Sequence, residues 1–148
     1  MHNMGKTLLL TVLTAFSTSL AAAPIAYSIN SDSGNDSVAD SLYRIDLENG
    51  NETRVATVTS FGETQLDVEG LAFAADGTLY GVDETFPMSL FAINPANAAV
   101  DNGSKVFING LPSSSGNDFG MTFACDGNLY LTSVADKSLY RVDLVGKA

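Results

Sequence analysis

Two short stretches carry the oxygen donors with which this chain could do chemistry: Asp67-Val68-Glu69-Gly70 and Asn117-Asp118-Phe119-Gly120. Asp67, Glu69, Asn117 and Asp118 offer carboxylate and amide oxygens, the ligands a hard cation prefers, such as Ca²⁺ or another divalent ion. The competing expectation is that these side chains cap loops or sit in solvent. Other reactive vocabulary is thin. The single histidine is His2, so a nucleophilic thiol at Cys125 would have no imidazole base in the rest of the chain. Cys125 is expected to be either a buried small apolar residue or half of a bridge with an absent partner. Ser113-Ser114-Ser115-Gly116 has no nucleophile-elbow pattern. The acidic Ser/Gly/Asn segment from Asn30 to Asp40 superficially resembles a calcium loop, but it has no glutamate at the twelfth position and no flanking helical pattern. It reads as a surface loop. No catalytic residue is identified.

Composition bounds what must position these residues. Of 148 residues, 45% are apolar and 16% charged, which excludes a disordered chain and a polytopic membrane protein. Asp and Glu number 17 against 7 Lys and Arg, a net charge of −10. Nucleic-acid binding is therefore not expected, because its main affinity comes from clustered cations. Lys6, the apolar run Thr7 to Phe16 and the small residues ending Ser19-Leu20-Ala21 have the order of a signal peptide. The run is too short to span a membrane. Cleavage after Ala21 would leave 127 of the 148 residues, and the loss of Lys6 would take the charge from −10 to −11. The leader places the protein outside the bacterial cytoplasm, periplasmic or secreted. The sequons at Asn35, Asn51 and Asn102 are then expected to stay unused.

The rest of the chain repeats. Gly70-Leu71-Ala72-Phe73-Ala74-Ala75-Asp76-Gly77-Thr78-Leu79-Tyr80 and Gly120-Met121-Thr122-Phe123-Ala124-Cys125-Asp126-Gly127-Asn128-Leu129-Tyr130 are identical at seven of eleven positions, at an offset of 50. A second element appears as Ser41-Leu42-Tyr43-Arg44-Ile45-Asp46, Ser89-Leu90-Phe91-Ala92-Ile93-Asn94 and Ser138-Leu139-Tyr140-Arg141-Val142-Asp143. A period of 40–50 residues built of short strands signals a four-stranded β-propeller blade. Residues 70–74 and 120–124 are small and apolar throughout, and are expected to be inner strands covered on both faces. Asp76-Gly77 and Asp126-Gly127 close hairpins into returning strands 78–83 and 128–134. The Ser-Leu-Tyr element alternates and reads as a third strand. Asn49-Gly50 and Asn102-Gly103 are assigned to the loop after it, with outer strands at 53–58 and 105–108. No helical periodicity follows the leader.

The fold expectation is all-β: antiparallel four-stranded blades of an incomplete β-propeller behind a signal-peptide helix. The domains are 1–21 (leader) and 22–148 (partial propeller, strands b-c-d at about 25–60, a-b-c-d at about 68–111, a-b-c at about 118–145). The runner-up architecture is an antiparallel sandwich, which leaves the offset of 50 unexplained. The Gly-Leu-Ala-Phe-x-x-Asp-Gly-x-Leu-Tyr and Leu-Tyr-Arg-Ile-Asp elements resemble the NHL-like, lactonase-like and strictosidine-synthase-like propellers, above all exported bacterial propellers of unassigned function. The lactonase-like members imply a metal-binding Glu just before an inner-strand Gly. Glu69-Gly70 matches that pattern, whereas Phe119 stands where a second ligand is implied. The expected function is a non-enzymatic exported propeller fragment that binds a ligand or protein. The alternatives are a metal-dependent lactonase-like hydrolase fragment, or a truncated product without independent function whose open blade edges favour self-association.

Overall fold

The computed structural model describes residues 23–30, 40–60, 66–112 and 117–144. The expected leader helix, most of the acidic loop after Asn30 and the Ser113–Gly116 segment lie outside them. Strands β1 (Ile25–Asn30), β2 (Ser41–Asp46) and β3 (Glu52–Thr57) form the first sheet. Strands β4 (Val68–Phe73), β5 (Leu79–Asp83), β6 (Ser89–Ile93) and β7 (Val100–Phe107) form the second. The third holds β8 (Phe119–Phe123), β9 (Leu129–Ser133) and β10 (Ser138–Val142). Every strand pairing is antiparallel between neighbours in sequence. The described residues contain no helix, so none is long and apolar enough to cross a membrane.

The turns follow from local chemistry. Gly77 and Gly127 adopt φ of +87° and +82°, a region that only glycine enters without strain. Asp76 Oδ1 accepts the Thr78 N–H at 2.9 Å, and Asp126 Oδ1 accepts the Asn128 N–H at 3.0 Å. These are the Asx turns that an Asp-Gly pair favours.

One assignment needs correction. Asn102-Gly103 does not lie in the loop after β6; it lies inside β7, which starts at Val100 rather than 105. The loop is shorter, built on Pro95 and a left-handed Ala98 with φ of +59°. The β6–β7 ladder shifts register between Leu90 and Ala92. There the Ser104 hydroxyl accepts the Ala92 N–H at 2.6 Å, in place of a ladder carbonyl. A bulge therefore absorbs a dipeptide that would otherwise mark a turn.

Alternation along the strands gives the second sheet two apolar faces. Leu79, Phe91 and Ile93 pack with Leu42, Val58 and Val68 in a core shared with the first sheet. Val82 and Leu90 pack with Phe119, Leu129 and Leu131 in a core shared with the third. The second sheet is thus covered on both faces and each outer sheet on one. Full cover of the inner strands holds only in part: Gly70 is buried, but Gly120 and Thr122 are exposed, since no described sheet lies beyond the third. Phe73 is 44% exposed at its strand end, edge-on to Tyr27 with ring centroids 5.7 Å apart. Backbone bonds also join the first two sheets, with the Val100 N–H donating to the Thr59 carbonyl at 2.9 Å.

Candidate functional site

The four proposed oxygen donors all lie at one end of the sheets, where β4 and β8 begin and β5 and β9 finish. Antiparallel pairing puts them there, since Val68 faces Asp83 and Phe119 faces Ser133. Asp67 and Glu69 are brought together and hydrogen-bond through their side chains. Burial above all, then that hydrogen bond and the charges of Glu69, Glu84 and Asp83, push the Asp67 carboxyl from 3.8 up to about 7. Asp83 is buried as well, and desolvation raises its carboxyl above the ordinary value. Hydrogen bonds from Thr85 and Asp67, with the positive charge of Lys105, act in the opposite direction.

Much of this polar chemistry ties strand ends together. Asp83 Oδ1 accepts the Asp67 N–H at 3.1 Å and the Thr85 N–H at 3.0 Å, clasping the start of β4 to the end of β5. The third sheet has the same clasp with the acceptor moved. Asn117 is fully buried, and its Oδ1 accepts the Ser133 hydroxyl at 2.9 Å and the Ala135 N–H at 3.0 Å. Asn117 Nδ2 donates to the Pro112 carbonyl at 3.2 Å. Asp118 is exposed, and its backbone carbonyl accepts the Val134 N–H at 3.2 Å.

Two carboxylates that the sequence reading passed over join one sheet to the next. Buried Asp40 accepts the Val68 N–H at 2.5 Å, linking the approach to β2 with the start of β4. Glu84 Oε2 accepts the Asn117 N–H at 2.6 Å, linking the segment after β5 with the approach to β8. Each is a charge-assisted bond to a backbone donor that would otherwise go unmet at a sheet boundary. Neither residue belongs to the repeated motifs: Met88 and Lys137 stand where Asp40 does, and Val134 where Glu84 does. The only sequence signal was an acid beside a repeat unit.

Among the described residues, no group of three or more His, Cys, Asp or Glu is arranged to hold a metal ion. The adjoining Asp67 and Glu69 are the pair whose mutual repulsion a cation would relieve. Asn117 Oδ1 already accepts two hydrogen bonds. Cys125 is neither buried nor bridged; it is an exposed free thiol in the β8–β9 turn.

No protein-family model matches the chain, and no curated protein matches it. Among solved structures it is similar to a structural-genomics protein of unknown function from Bacteroides thetaiotaomicron VPI-5482, with a TM-score of 0.54 and 20% sequence identity. The likeness covers 82% of this chain and 28% of that one, so this chain spans about a quarter of its neighbour's length. Identity at this level speaks to the all-β fold alone.

Proposed function

We propose that the three sheets are consecutive blades of an incomplete β-propeller, exported from a bacterial cell, that binds a ligand or a protein without catalysing a reaction. The observation that carries this reading is the repeat of one packing pattern: sheet faces sheet twice, and β4 lies alongside β8 as neighbouring inner strands would. Three blades fall short of the roughly 4–8 of a closed ring, so the binding surface of the whole protein would extend past this arc. The non-catalytic part is supported by the roles of Asp40, Asp83, Glu84 and Asn117, whose oxygens hold strand ends.

The test is a turnover screen of the purified protein against esters and lactones, with and without divalent cations, beside a ligand screen by thermal shift. Ligand-dependent stabilisation without turnover is expected. Cation-dependent hydrolysis that Glu69→Gln abolishes would replace this reading with the lactonase-like one, Asp67 and Glu69 being ligands. A chain that binds nothing and is rapidly proteolysed would favour a product without independent function. Export is tested separately: intact-mass measurement of the mature protein should place its first residue at Ala22.

A further inference from the structure

We infer that the uncovered face of the third sheet docks on the uncovered face of the first sheet in a second copy of this chain, so that two copies pair head to tail. This inference rests on the blade reading above. Leu42, Leu90 and Leu139 occupy the same place in the repeated Ser-Leu element. The first is 0% exposed and the second 1%, each in the core shared with the following sheet. Leu139 is 66% exposed, because no described sheet follows its own. Its face also carries Gly120, Thr122, Tyr130 and Thr132, as the β8–β9 and β9–β10 registers require.

The occupant is argued from continuity. Leu42 shares its core with Phe91 and Ile93, the β6 residues that face back toward the first sheet. The β2 residues in the places of Phe91 and Ile93 are Tyr43 and Ile45. Both are only half-buried, since no described sheet precedes the first. Small Ala26 and Ser28 lie beside them by register, Ala26 opposite Ile45 and Ser28 opposite Tyr43. A second copy therefore presents the kind of back face on which these leucines pack twice within one chain. Such an interface is heterologous, and two copies would close it with six sheets, inside the roughly 4–8 that rings contain.

The test uses the full chain. Sedimentation equilibrium should give a reversible dimer, and Leu139→Asp should weaken it at least about tenfold, as for the loss of a central apolar anchor. Oxidative cross-linking then fixes the pairing, in a Cys125→Ser background that removes the exposed thiol. Leu139→Cys mixed with Tyr43→Cys should yield a covalent heterodimer, and neither variant should link to itself. A monomer at every concentration, open-ended polymers, an unaffected Leu139→Asp dimer or self-linking of Leu139→Cys would each overturn the pairing. Hydrogen exchange on the same samples separates the two levels. Slow exchange in β5 and β6 alongside a monomer counts against the pairing alone, whereas uniformly fast exchange counts against the stacked blades as well.

Discussion

At the scale of single residues, the acidic strand ends divide into acceptors that hold backbone donors and a pair that repels. Asp67 and Glu69 are the pair. Because the folded-state value of Asp67 is raised to about 7 from 3.8, the folded chain binds that proton more tightly than the unfolded chain. The resulting stability is fully present below the unfolded value and is lost as pH rises through about 7. Asp67→Asn should flatten that decline. At this half-buried, solvent-screened site the gain at about pH 8 should be on the order of 1–2 kcal/mol, read by urea denaturation across the pH range. Equal slopes for the two proteins would contradict the raised carboxyl. Ser89 gives a second expectation. Its hydroxyl is fully buried and has no hydrogen-bond partner. An unmet buried hydroxyl carries its desolvation cost, so Ser89→Ala should raise stability by about 1 kcal/mol. A loss in the denaturation midpoint would show that the hydroxyl is satisfied after all. Asp67 and Glu69 drew attention in the sequence because they precede a repeated glycine. Asp40 and Glu84 did not, because their partners are backbone N–H groups 28 and 33 residues away.

At the scale of elements, strands and turns were largely legible because their causes are local. Alternation placed β2, β6 and β10, and the Asp-Gly pairs placed both hairpins. The failure at β7 is instructive. Asn102-Gly103 has turn chemistry, but the Ser104 hydroxyl and a register shift keep it within the strand. Sequence spacing cannot reveal a side chain that substitutes for a ladder carbonyl. Close packing inside the second sheet sets a further expectation. A Cβ on Gly81 would stand 2.7 Å from Ile93 Cδ1 and 3.1 Å from Val68 Cγ1. Those side-chain tips must shift in a filled core, so Gly81→Ala should cost about 1–2 kcal/mol. An unchanged thermal midpoint would mean that the core has slack there.

At the scale of the whole molecule, the stacking order sets a stability gradient. The second sheet has apolar cover on both faces, and its neighbours on one each. Local opening is easiest where fewest apolar contacts must break. Amide exchange should therefore be slowest in β5 and β6, and faster in β1 and β10 at the sheet edges. Slowest exchange in the first or third sheet would overturn this order. The exposed Leu139 face and the half-buried Tyr43 and Ile45 mark the two sides of the stack on which further cover would act.

The sequence by itself determined the strands, the hairpins and the repeat, because two-residue alternation and the φ freedom of glycine act within a few neighbouring residues. The same locality let an offset of 50 predict that β4 and β8 play equivalent parts. Tertiary structure decided which polar groups became clasps, how the β6–β7 bulge absorbed a turn dipeptide and that Cys125 faces solvent. It also decided that Asp67 and Glu69 share a site that holds a proton near neutrality. Burial and long-range hydrogen bonds depend on which sheet lies opposite, and no local pattern specifies that.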